Sequence, residues 1–105
     1  LIDMANGRLF AMDLAAATAT PLYQPASQTG TLTLSLVNRS ASAVLARVAL
    51  AAAATPTDAE WIEYDAYLPP SGVLERTAIV VGPGQYLVAR ASAAGVSAVG
   101  FGFEE

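Results

Sequence analysis

From Thr31 to Asn38 the chain alternates, with Leu32, Leu34 and Leu36 on one side of an extended backbone and Thr31, Thr33 and Ser35 on the other. A period of two marks a half-buried β-strand. Asn38-Arg39-Ser40-Ala41-Ser42 then supplies turn-compatible residues, and Ala43 to Ala54 offers two readings. Its alanines favour a helix, whereas Val44, Ala46, Val48 and Leu50 on one face with Arg47 on the other fit the return strand of a hairpin. The strand is the preferred reading. Thr57-Asp58-Ala59-Glu60 has the spacing of a capping box, in which the Thr hydroxyl and the Glu carboxylate satisfy backbone donors, so a single helical turn is predicted there. Strands follow at Trp61 to Leu68, Val73 to Val81, Gln85 to Ser92 and Val96 to Phe103, separated by Pro69-Pro70-Ser71-Gly72, Gly82-Pro83-Gly84 and Ala93-Ala94-Gly95. Prolines cannot continue a ladder, and Gly and Pro mark corners.

With one further strand at Arg8 to Leu14, the pattern predicts an all-β protein. The expected fold is an antiparallel β-sandwich, jelly-roll or Ig-like, of about seven to eight short strands. It is read as one domain in total, with residues 1–30 as an extended N-terminal arm carrying that one strand and residues 31–105 as the sandwich body. Pro21 and Pro25 bracket Leu22 and Tyr23, holding the backbone extended and short of donors. Two readings stay open for this stretch, an edge strand of its own domain or a tail lying on a neighbouring subunit. Met4-Ala5-Asn6 looks like a natural start, so Leu1 to Asp3 are read as additions or as mis-assigned residues.

Composition narrows what such a domain can do. The 105 residues are 54% hydrophobic, but much of that is Ala, which contributes little beside the ~1.5 to 3 kcal/mol of a buried Val, Leu or Phe. The large apolar anchors expected to build the core include Leu32, Leu34, Leu36, Val44, Val48, Leu50, Trp61, Ile62, Leu74, Ile79, Val81, Leu87, Val88, Val99, Phe101 and Phe103. Small domains with few such anchors commonly add disulfides, metals or partner copies. With no Cys and no His, disulfides and the usual zinc ligands are out, and self-association is the expected reinforcement. Lys is absent as well, and the net charge is -4 with five Arg scattered among nine acids. Nucleic acid is therefore a poor partner, since phosphate binding relies on clustered cations. The longest apolar run, Ala43 to Ala54, is interrupted by Arg47 and falls short of the ~20 residues of a membrane helix, so no membrane partner is expected. The first residues do not have the pattern of a basic, hydrophobic, cleavable leader, so secretion through a signal peptide is not expected.

Reactive chemistry is scarce. Glu63 and Asp65, two apart on one strand, would share a face at roughly 7 Å, a separation glycosidases use, yet solvent-facing acids paired with Arg76 or Arg90 are the simpler reading. Asp58, Glu60, Glu63 and Asp65 are oxygen donors for calcium, but no dense Asp-rich loop is present. Gly82-Pro83-Gly84 leads into a strand and reads as a turn rather than a phosphate cradle. No Ser or Thr has a His or Lys base to activate it. The sequence thus implies no catalytic residue, no cofactor and no metal, and a role based on shape and surface. For that role the candidate partner-interface residues are Leu22, Tyr23, Trp61, Tyr64 and Tyr67. Strict alternation puts Trp61 and Tyr67 on one face and Tyr64 on the other, and aromatics near a surface are enriched at interfaces.

Pro56-Thr57-Asp58-Ala59-Glu60-Trp61-Ile62-Glu63-Tyr64-Asp65, Leu68-Pro69-Pro70-Ser71-Gly72-Val73-Leu74-Glu75-Arg76-Thr77, Gly84 to Ser92 and the terminal Gly102-Phe103-Glu104-Glu105 resemble small virion structural proteins of tailed bacteriophages. Leu32 to Arg47, with its Leu-Val-Asn-Arg-Ser turn, looks like the first hairpin of the same family, and the resemblance spans Thr31 to Glu105. It implies a β-sandwich module that decorates capsids or forms part of a fibre or tail, without catalytic residues. The expectation is a capsid decoration or cement protein on the outer surface of the virion, made in the bacterial host cytoplasm. It would be a homotrimer in contact with other virion proteins. The alternative is a head- or tail-fibre module that touches host glycans.

Overall fold

Eight strands form in the order β1 (Asn6–Asp13), β2 (Thr20–Tyr23), β3 (Gly30–Asn38), β4 (Val44–Ala51), β5 (Trp61–Leu68), β6 (Val73–Val81), β7 (Tyr86–Ala91) and β8 (Val96–Glu104), with a 3-10 turn at Asp58–Glu60. This computed structural model describes residues 5–105, so the reading of Leu1 to Asp3 as additions or mis-assigned residues lies outside the described residues. The strands pair from the ends inward, β1 with β8, β2 with β7, β3 with β6 and β4 with β5, all antiparallel. Ladders β3·β8 and β4·β7 complete two four-stranded sheets, β1-β8-β3-β6 and β2-β7-β4-β5. Such pairing is one long hairpin rolled over on itself, the jelly-roll arrangement, and the strand order selects it over the Ig-like alternative.

The alternation of β3 sends Leu32, Leu34 and Leu36 into the space between the sheets, where Val44, Val48, Val81, Leu87 and Val96 are buried with them. Ala43 to Ala54 contributes a strand, β4, and it follows the expected faces. Val44, Ala46 and Val48 point inward, and Arg47 points outward opposite Arg90 of β7. Ala49 and Ala51 are also buried although they lie on the outer side, because Trp61, Tyr86 and Ala19 cover them together with Val88.

Two expectations need correcting. The segment 1–30 is not an arm with one strand: over its described residues it supplies two, β1 and β2, each an edge strand of its own domain. Leu22 is core, only 6% exposed. Tyr23 stacks on Phe10 with ring centroids 6.1 Å apart, and its hydroxyl donates to the Glu104 carboxylate. Burial, followed by that carboxylate, raises the Tyr23 phenol well above its ordinary pKa. Leu22 is thus covered by its own domain, while Tyr23 stays half-buried.

The second correction concerns the phase of β8. Val96, Ala98 and Gly100 face the core, leaving Phe101 and Phe103, expected as core anchors, 42% and 45% exposed on the outside. The glycines explain it. A Cβ at Gly100 would run into the Phe10 ring, and one at Gly102 would meet the β3 backbone, with Leu32 Cα 2.7 Å away. The inner side of β8 has no room for side chains there, so the rings go out.

Asn38, at the end of β3, is the one buried polar residue among those described. Its Nδ2 donates to the carbonyls of Ser42 (2.8 Å), Leu68 (3.1 Å) and Pro69 (3.2 Å), and its Oδ1 accepts from the Ser40 amide (2.9 Å) and hydroxyl (2.7 Å). The side chain thereby ties the β3–β4 turn to the β5–β6 turn. All four edge strands carry register shifts, whereas the central ladders β3·β8 and β4·β7 run without one. Bulges on edges twist away the unpaired backbone that another strand would otherwise join.

Candidate interaction surface

The bulge in β5 builds the first surface. Ala46 pairs with Ala66 and Val48 with Glu63, so Arg47 faces both Tyr64 and Asp65, and Asp65 takes φ 52°. Asp tolerates this left-handed conformation better than most side chains. A second register shift, where Val48 pairs with Glu63 and Ala49 with Trp61, cancels the strict alternation that would put Tyr64 on the opposite face from Trp61. The two rings instead meet edge to face, with centroids 5.9 Å apart at 71°.

Arg47 is the centre of this group. Its guanidinium lies 4.0 Å over the Tyr64 ring centroid and 5.9 Å from that of Trp61. Its Nε donates to Asp65 Oδ1 at 2.6 Å. The hydrogen bonds and charge of Arg47 hold the Asp65 carboxyl below its ordinary value, and Asp65 raises the Arg47 pKa in return. Tyr67 stands farther along β5 opposite Leu45, 69% exposed, with Leu45 at 39%. Of the predicted interface residues, Trp61, Tyr64 and Tyr67 therefore come to the outer side of this sheet, while Leu22 and Tyr23 do not join them.

The acids disperse. Glu63 pairs with Arg76 of β6, bridging the edges of the two sheets, while Asp65 pairs with Arg47. The predicted carboxylate pair is thus drawn to different partners. Glu60 accepts from the Thr57 amide (2.7 Å) and the Ala52 amide (2.9 Å), which lowers its pKa. Asp58 has no hydrogen bond or ion pair among the described residues, and it lines an open hollow of about 380 Å³ with Trp61 and Tyr64. No group of three or more His, Cys, Asp or Glu suited to a metal ion occurs among the described residues.

The second surface is the outer side of the other sheet. Phe103 lies beside Thr31, which lies beside Val80, and Phe101 lies between Arg8 and Thr33. At the far end Val37 pairs with Val73. Val80 is 51% and Val73 57% exposed. These four apolar residues are absent from the sequence-derived interface. The available signal was the Gly-Phe-Gly-Phe run, in which alternate glycines mark the crowded side and alternate aromatics the open one. No family model matches the chain, nor does any curated protein or solved structure.

Proposed function

We propose that this chain is a non-enzymatic virion structural protein, a capsid decoration subunit that lies on the outside of a phage shell as a homotrimer and contacts neighbouring virion proteins. The observation that carries the reading is the exposed group of Phe101, Phe103 and Val80 at one end of a sheet face, with Val73 at its other end, in a domain whose edge strands are all bulged. Bulged edges disfavour strand addition, so association is directed to faces, where exposed aromatic and aliphatic side chains gain most from burial. The resemblance of Thr31 to Glu105 to small phage virion proteins supplies the context, and jelly rolls are an architecture that viral capsid domains use, an argument of analogy only. Subunits that bind assembled shell and not its separate parts stabilise the shell by mass action.

The test is quantitative mass spectrometry of purified particles of the encoding phage, joined to electron microscopy of particles from a deletion strain. Many copies per particle, and loss of an outer layer of density on deletion, are expected. Absence of the protein from particles overturns the reading. The alternative, a fibre module touching host glycans, draws support from the aromatic corner of Trp61 and Tyr64. It requires few copies per particle and binding of the isolated protein to host cells.

A further inference from the structure

The hollow bounded by Asp58, Trp61 and Tyr64 lies on the opposite sheet from the phenylalanine row and needs its own account. The molecule already shows one way these groups are used. Arg47 lies over Tyr64 with its charge answered by Asp65, which combines a cation over an aromatic face with an ion pair. Around the hollow the same two rings meet a second carboxylate, Asp58, and the cation beside them, Arg47, is already engaged by Asp65. Glu60, Glu63 and Asp65 are engaged by backbone amides, Arg76 and Arg47 respectively, whereas Asp58 has no partner among the described residues. Because Asp65 offsets the nearby Arg47, the uncompensated charge at the hollow is that of Asp58. A volume of about 380 Å³ exceeds that of one guanidinium group and admits the end of a side chain from a partner surface.

We infer that this hollow receives the guanidinium group of an arginine on a partner protein, stacked against Trp61 and Tyr64 and paired with Asp58. Arginine fits better than lysine because its planar group stacks on rings while still donating to a carboxylate. This inference rests on the reading of the chain as a protein-contacting module, but its test uses isolated protein and stays distinct from the particle experiment. A failure here leaves virion incorporation intact, and a failure there leaves the hollow's chemistry intact.

Trp61 is the only tryptophan of the chain, so its fluorescence reports directly on the site. Titration of the full chain with N-acetyl-arginine amide at constant ionic strength is expected to give a saturable change with half-saturation on the order of 10 mM, a weak affinity suited to one side chain. The matched citrulline compound, equal in shape but uncharged, is expected to bind at least about fivefold more weakly, and Asp58→Asn to weaken the arginine compound by a similar factor. Asp58 is exposed and makes no contact that holds the fold, so circular dichroism of Asp58→Asn should match that of the wild type. Equal binding of the citrulline compound, an unchanged affinity in Asp58→Asn, or saturation by a methyl glycoside with none by the arginine compound each overturns the inference. The last outcome would mark a saccharide site instead.

Discussion

Replacing Asn38 by Ala removes the side chain that ties the β3–β4 turn to the β5–β6 turn, and the size of the loss can be worked from its contacts. The amide has two hydrogens shared among the carbonyls of Ser42, Leu68 and Pro69, and its oxygen accepts from the Ser40 amide and hydroxyl. That amounts to about four full hydrogen bonds, each worth about 1 kcal/mol net. The groups of half-buried Ser40 and exposed Ser42 can turn to water, but the carbonyl of buried Leu68 cannot do so without opening the turn. The expected loss is about 2 to 4 kcal/mol, against a total of about 5 to 15 kcal/mol for a chain of this length. Urea unfolding followed by Trp61 fluorescence reads it as a midpoint shift of about 1 to 2 M. Asn38→Asp supplies the control. At neutral pH its carboxylate keeps the acceptor for Ser40 but sets negative charge against three carbonyls, so it should be less stable than Asn38→Ala. Its folded pKa would be raised above the unfolded value of ~3.9, so stability is retained below that pH and lost as pH rises through the folded value. An Asn38→Ala midpoint within about 0.5 kcal/mol of the wild type, or an Asp variant as stable as Asn at pH 7, would refute the reasoning.

Gly102→Ala is expected to cost more than Gly100→Ala, because the new methyl at 102 meets β3 backbone while that at 100 meets the Phe10 side chain; thermal melts of the two variants rank them. The Tyr23 phenol sits above its ordinary pKa, so its contribution is intact below about pH 10 and falls as pH rises through the folded value. Tyr23→Phe should flatten the alkaline limb of a stability profile. Glu60 and Asp65 have lowered values, so their contributions are present above about pH 4 and fade as pH drops through the lower folded values. Glu60→Gln should accordingly lose less stability than the wild type between neutral pH and pH 2. Phe101→Ser with Phe103→Ser should leave the fold intact by circular dichroism and lower the number of copies per particle in the mass-spectrometry assay; unchanged incorporation would place the contact elsewhere.

Much of the sandwich could be read from local chemistry. The leucines of β3, the Pro-Pro-Ser-Gly corner and the mixed alanines and valines of β4 declare their structure within a few residues. Three features do not. The pairing of β1 with β8 joins opposite ends of the chain, so nothing local to Arg8 separates an arm from an edge strand. On β5 two register shifts against β4 set the phase: the one between Trp61 and Glu63 carries Tyr64 to the side of Trp61, and the one at Asp65, which takes a left-handed conformation, keeps Tyr67 on that side. On β8, apolarity argues for phenylalanines inside, but the glycines beside them leave space that Phe10 and the β3 backbone fill from other strands.

That choice of phase on β8 links the fold to the proposed role. Had Phe101 and Phe103 faced inward, their burial would stabilise the isolated domain. Outside, at 42% and 45% exposure, they leave roughly 175 Å² of aromatic surface uncovered, taking ~200 Å² for each ring. At about 25 cal/mol per Å² this is about 4 kcal/mol of gross burial energy available to a contact. It falls short of or barely meets the cost of bringing two free proteins together, about 4 to 15 kcal/mol. Two phenylalanines thus do not hold a complex by themselves. Val80 extends the row and Val73 adds a separate contact at the far end of the face, and on an ordered shell each added contact benefits from neighbours already in place, so that individually weak faces become collectively tight. The geometry of β8 is thus compatible with the proposed role, in which a subunit binds firmly to an assembled surface and weakly to a single free partner.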